Sequence, residues 1–386
     1  MKMSPTRFII LLLVLSHSFV TVQALALQEV SAEAERHVAE ARAAERRQDW
    51  QAAERSYLKA IKLAPAWAEA LVNLGVVYNR EGKTDDAIRA FTRAAQIKPK
   101  LAGALFNLGL TLVRKGGYGE AITPLRRALE IEPENDGARR SLAVALIGTE
   151  QFQEANRQIA LLLAKSPRDP ALLEMAAGSF MHQRRYAEAA TVLKRRLDLE
   201  NGTSLLWAQY GDALDGASRT TEAVEAYRRA VDLAPDSTNT RYGLGYLYWK
   251  LYRYDEAERE LSKVIQRDPD DGRAAFTLGD LYLTRGDAKR ALPLLQKAET
   301  AYPEEFDTRF ALGRALLLVG KRNEGIAELR AAVKIDDSIA DGHFQLGRAL
   351  MQAGEKQEGN QELNRARELH DAKRRAESER FKPKAN

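Results

Sequence analysis

Proline recurs in this chain at one spacing. Pro65, Pro99, Pro133, Pro167, Pro235, Pro269 and Pro303 are separated by 34 residues, or by 68 where Asn201 takes the empty slot. Asp337 and Asp371 continue the register. A period of this length means a stack of small, similar units, each too small to bury its apolar face alone. The 386 residues would otherwise suggest two or three globular domains. The frame has no insertion or deletion from residue 34 to residue 373. It gives ten units, starting at 34, 68, 102, 136, 170, 204, 238, 272, 306 and 340.

Each unit reads as two helices. In the second unit Leu71, Leu74, Gly75 and Tyr78 are spaced i, i+3, i+4, i+7 and share one helical face. Ala87, Phe91 and Ala94 mark a second amphipathic helix. Gly82 stands between them, where a helix C-terminus favours a residue tolerant of positive φ. Pro99 closes the unit, since proline cannot continue a helix. The eighth position of every unit is Ala or Gly, from Ala41 and Gly75 to Gly347, and so is the twentieth, from Ala53 to Gly359. Glycine within a helix costs about 1 kcal/mol relative to alanine, so its recurrence needs a packing reason. The reason expected is close approach of the two helices of a unit. Pro124 and Pro293 fall early in second helices, where they can kink them.

These columns resemble the tetratricopeptide repeat. Leu71, Leu74, Gly75, Tyr78, Ala87, Phe91, Ala94 and Pro99 match that pattern throughout, and Trp207, Tyr210, Gly211, Leu214, Ala223, Tyr227, Ala230 and Pro235 match it nearly as well. The resemblance covers about residues 34–373. It implies an all-α solenoid of about ten helix-turn-helix units, wound into a right-handed superhelix whose first helices line a concave groove. The first unit departs from the pattern at His37 and Glu40. The last departs at Glu358, Asn360 and Glu362, which fits polar caps at the ends of a stack. Arg196 and Asn201 depart in the fifth unit, where a softer joint is expected.

Residues 1–26 read as an address. Lys2 and Arg7 precede the apolar run Phe8–Leu15, and Ala24 or Ala26 ends a small-residue cleavage site. The domain reading is therefore a signal peptide at 1–26, a solenoid at 27–373 and a polar basic tail at 374–386. An exported protein follows, periplasmic or secreted, with no transmembrane segment once the signal is cleaved. The chain has no cysteine, which excludes disulfides, thiolate catalysis and Cys-ligated metals. Its formal charge of +5 divides into +2 before residue 27, +4 from residue 365 onward and −1 between. The solenoid is thus near neutral and offers no nucleic-acid surface.

Catalytic and metal motifs are missing. The five histidines form no H-E-x-x-H spacing, and no phosphate loop or nucleophile elbow occurs. Met175, Met181 and His182 share one helix and are read as packing residues. No cofactor and no enzymatic activity are expected.

The resemblance places positions 2, 5, 6, 9, 12 and 13 of each unit in the groove. Position 5 holds Phe106, Tyr242, Phe276, Phe310 and Phe344, with Tyr246 and Trp249 adding aromatic area nearby. Such a stripe either offers apolar anchor sites or packs half-buried between first helices. Asn73 and Asn107 repeat at position 6, Arg80 and Arg114 at position 13, and Arg314 and Arg348 at position 9. Asn pairs with peptide backbone and Arg with carboxylates. The carboxylate-clamp and asparagine-ladder subtypes of the family both fail here, since position 5 lacks Lys and position 6 loses Asn after two units. The expected function is a non-enzymatic scaffold that binds an extended peptide or protein segment in its groove. The rival is an adaptor for envelope assembly or polysaccharide export.

Overall fold

A computed structural model describes residues 30–199 and 202–380. The signal-peptide assignment, Asn201 and the last six residues of the tail lie outside the described residues. Among the described residues there are twenty helices and no strand. They fall into two compact units that divide between residues 192 and 193.

The first unit contains α1 (Ala32–Arg46), α2 (Trp50–Leu63), α3 (Ala68–Arg80), α4 (Thr84–Ile97), α5 (Ala102–Lys115), α6 (Tyr118–Ile131), α7 (Asp136–Gly148), α8 (Phe152–Lys165) and α9 (Pro170–His182). Helix α10 (Tyr186–Leu197) carries the division, one turn before the departure at Arg196. The second unit contains α11 (Ser204–Gly216), α12 (Thr220–Leu233), α13 (Thr238–Lys250), α14 (Tyr254–Arg267), α15 (Gly272–Thr284), α16 (Ala288–Ala301), α17 (Phe306–Leu318), α18 (Arg322–Ile335), α19 (Ala340–Ala353) and α20 (Lys356–Arg380). Both α6 and α16 run on past Pro124 and Pro293. Each proline sits where only one ladder hydrogen bond is lost, in the first half of its helix.

Inside each unit the odd-numbered helix packs on the following even one, and each pair packs on the next. Successive first helices also touch: α3 with α5, α5 with α7, and α11 through α19 in turn. The first helices therefore form a continuous face from α3 to α7 in the first unit and from α11 to α19 in the second. The core lies between the two layers. Tyr57, Phe91, Leu125, Ile159, Leu261, Leu295 and Leu329 hold one register position on the second helices and are all buried.

That column explains the small residues at position eight. A Cβ at Gly75 would fall 2.6 Å from the Phe91 ring, well inside contact distance. In the ninth repeat the approach is backbone to backbone: a Cβ at Gly313 would lie 3.1 Å from the Gly325 carbonyl oxygen. At these glycine positions a methyl group fits only if the helices or the facing side chain shift, whereas Ala41, Ala143 and Ala177 carry one in their own repeats.

The turn between the two helices is fixed by conformation rather than by residue type. Position 15 has positive φ in all ten repeats. Five are glycines, Gly82, Gly116, Gly286, Gly320 and Gly354, and five are not: Gln48, Glu150, Arg184, Ser218 and Tyr252, at φ from 55° to 62°. The side-chain-bearing residues hold this left-handed state at a cost of about 1 kcal/mol each. Helix packing on both sides imposes it.

The periodic prolines have a second role besides ending a helix. Their carbonyls collect cations from the following repeat. Arg93, Arg127 and Lys297 donate to the oxygens of Pro65, Pro99 and Pro269 at 3.0–3.1 Å. In three other repeats the cation stands at position 4 of the first helix and forks. Arg139 reaches the Pro133 carbonyl and Gln158, Arg241 the Pro235 carbonyl and Glu260, and Arg309 the Pro303 carbonyl and Glu328. His343 takes this place in the last repeat, between Glu362 and the Asp337 carbonyl. The fork ties the loop, the first helix and the second helix together and satisfies a carbonyl that the helix end leaves unpaired.

The first-helix face as candidate partner site

In the first unit the residues singled out from the sequence lie on α3 and α5. Asn73 is half-buried and Arg80 is exposed, with its guanidinium 5.9 Å from the Trp50 ring centroid. Asn107 donates to the Gly103 carbonyl one turn back at 2.8 Å, which engages its amide nitrogen. Arg114 is exposed and lines a pocket of about 400 Å³ with Lys83, Asp85, Asp86 and Lys115. Asn79 donates to Thr111 at 2.8 Å, and Thr111 donates to the Asn107 carbonyl at 2.7 Å, which locks α3 to α5. Phe106 is half-buried, and its ring would stand 3.2 Å from a Cβ at Gly137 on α7. His182 stacks on Phe152 at 5.5 Å, as a packing residue does.

In the second unit most of the aromatic stripe turns out to be a seam. Tyr242 lies under the Arg273 guanidinium of the next first helix at 4.8 Å. Phe276 is half-buried. Phe310 stacks on Phe306 at 5.4 Å and packs against a buried cluster that includes Leu346 and Leu350. Tyr246 and Phe344 remain open, at 36% and 43% exposure. Tyr246 stacks between Tyr242 and Trp249, at 6.2 and 5.6 Å. Arg314 and Arg348 each lie over the ring one turn before them, Phe310 at 5.6 Å and Phe344 at 5.7 Å. The periodic aromatics thus do two jobs. Most join neighbouring first helices, and two present apolar area outward.

Two acidic groups on this face were not foreseen. Asp280 accepts from the Trp249 indole N–H at 3.1 Å, and Asp212 accepts from the Tyr227 hydroxyl at 2.5 Å. Asp280 is half-buried, and desolvation raises its carboxyl above the ordinary aspartate range against the opposing effect of its donor; Asp212 is shifted in the same direction but is exposed. Both residues are at position 9, the register also held by Tyr246, Arg314 and Arg348. The signal was present in the sequence as a position, but its burial depends on the neighbouring helix. A raised carboxyl contributes stability below its unfolded value, and this contribution is lost as pH rises through the folded value. Asp280→Asn, which keeps an acceptor for the Trp249 indole N–H, should therefore leave the melting midpoint unchanged near about pH 4 and raise it near about pH 7. Equal shifts at both would mean that the carboxylate carries no burial penalty.

Comparison with known proteins agrees with this geometry. Models described as tetratricopeptide repeat match residues 38–102, 82–138 and 242–306, and another matches 112–178. A further model, described as TPR repeat, matches 217–251. The chain belongs to the tetratricopeptide repeat family. Among curated proteins, none matches it. Similar solved structures include MamA from Desulfovibrio magneticus RS-1, at 20% identity and a TM-score of 0.41 over 44% of this chain and 96% of that one. A structure titled MamA MSR-1 C2 gives 26% identity and 0.40 over 44% and 98%. Yeast Tom70 gives 14% identity and 0.41 over 87% and 85%. Scores at this level carry nothing about ligands. Membership of the tetratricopeptide repeat family makes the chain a protein-interaction scaffold, and the family is generally non-enzymatic. No described helix is long and apolar enough to cross a membrane.

Proposed function

We propose that this tetratricopeptide repeat protein is exported and acts as a non-enzymatic scaffold that binds an extended segment of a partner protein on its first-helix face. The observation that supports this most directly is the pair of outward aromatics, Tyr246 and Phe344, on a face whose other periodic aromatics are half-buried. Extended segments gain affinity from a few apolar anchors set among polar groups. Arg348 beside the Phe344 ring supplies a polar part, and a cation over an aromatic face keeps both in fixed orientation. Export rests on the charged and apolar pattern of residues 1–26.

Two measurements test this. The mature N-terminus of the protein from the cell envelope should begin at Leu25 or Leu27. Partner capture should fall at least about tenfold in a Tyr246→Ser/Phe344→Ser variant, each lost anchor being worth about 1 kcal/mol or more. Phe276 and Phe310 are left intact because both are half-buried, and their loss would confuse unfolding with lost binding. An unprocessed N-terminus would overturn export, and identical partner sets from parent and variant would overturn the anchor reading.

A further inference from the structure

Three helices of the first unit carry the same outward register. On α3 it reads Asn73, Val76, Arg80, and on α5 Asn107, Leu110, Arg114. Both triplets are spaced i, i+3, i+7 and so run along one helix face. On α1 the last member is Arg46, at the same position 13. Arg46, Arg80 and Arg114 are all exposed, and Val76 is 37% exposed. Among the described residues no carboxylate oxygen stands within 4.0 Å of any of the three guanidiniums.

Three other cations near this face are engaged. Lys115 holds Asp85 at 2.7 Å, Arg140 holds Asp169 at 2.8 Å, and Arg139 forks between Gln158 and the Pro133 carbonyl. The carboxylates near Arg114 are taken as well, Asp85 by Lys115 and Asp86 by Arg89. The helix dipole accounts for a cation in the last turn of each helix. It does not account for the aliphatic and amide groups repeated in register beside it. Trp50, which opens α2 just beyond Arg46, lies under Arg80 and links the first two rungs. The Asn79–Thr111–Asn107 chain links the second and third. The series stops at α7, where the register holds Gly148 and the Tyr118 ring covers it.

We propose that this ladder is a docking surface for an acidic–aliphatic peptide segment of a partner protein. Each rung offers a guanidinium for a carboxylate, and the second and third add an aliphatic patch and an amide for the peptide backbone. A nucleic acid would need a broad basic surface, and residues 27–364 sum to −1. The inference rests on the peptide-binding reading above, but it places an acidic ligand on the first unit, whereas the Tyr246 and Phe344 anchors belong to the second.

The test uses the full chain and a fluorescein-labelled peptide of alternating glutamate and leucine, against the same peptide with glutamine for glutamate. The glutamate peptide should bind more tightly, and added salt should weaken it. An Arg46→Gln/Arg80→Gln/Arg114→Gln variant of unchanged helicity should lose about tenfold in affinity, as expected for three exposed ion pairs. Equal affinity for both peptides would overturn the acidic preference while leaving peptide binding in place. No binding of either would overturn the ladder as a site, and the Tyr246/Phe344 variant would then judge the wider reading separately. Displacement of the peptide by heparin as effectively as by unlabelled glutamate peptide would reassign the ladder to polyanions in general, and so overturn the inference.

Discussion

Truncating Phe91 to alanine is expected to cost about 3–5 kcal/mol. Phe91 is fully buried, and its ring fills the space that Gly75 leaves on the facing helix. Removing it opens a cavity that the glycine cannot fill. In a solenoid each repeat rests only on its neighbours, so the loss should be local. Urea unfolding followed by circular dichroism gives the size of the effect. Hydrogen exchange gives its place, with protection falling first in α3 and α4. A cost below about 1 kcal/mol would mean that the helices close over the gap, and the small-residue column would not be a fit to the bulky one.

The second large effect concerns the cation fork. Arg309→Ala should cost about 3 kcal/mol. Arg309 is only 19% exposed and donates to the Pro303 carbonyl at 2.6 Å and to Glu328 at 2.7 Å, with Glu299 at 3.1 Å. Taking it away leaves a half-buried carboxylate pair and an unpaired carbonyl. Arg309→Lys should recover only part of the loss, because an ammonium group cannot span the three acceptors that a planar guanidinium reaches. Chemical denaturation of parent, Ala and Lys variants orders them. If Ala and Lys behave alike, charge rather than geometry holds the joint. If Ala costs nothing, the fork is an ornament of the surface.

The two predictions differ in how far they could be read in advance. Phe91 and Gly75 were legible as a pair, because both stand in columns that repeat every 34 residues. The prolines were legible as helix stops but not as acceptors. Their partners lie 28 residues on, or six, as with Arg93 and Arg309, and no local pattern marks these as cations for a loop. The turn glycines show the same limit from the other side. Glycine at Gly82 or Gly286 suggested positive φ, yet Tyr252 and Gln48 hold it as well. Residue type there is a preference, while the backbone state is imposed by the two helices.

The candidate site was half legible. Position 5 was expected to carry exposed rings or a half-buried seam, and it carries both. Phe310 is drawn into the cluster around Leu346, and Phe344 stays open. The sequence cannot distinguish them, since each is a phenylalanine in the same register and only the next helix decides which is covered. Arg46, missed by the sequence reading, holds the same register as Arg80 and Arg114, so the period itself was the signal.

What the sequence determined alone is the period, the helix pair and the small-against-large packing columns. These depend on spacing along one chain, and spacing is local information. The tertiary structure alone decided which side chains are spent on joining repeats and which remain for a partner. That choice turns on contacts between residues a whole repeat apart, such as Asn79 with Thr111 or Trp249 with Asp280, where burial and donor geometry settle the outcome.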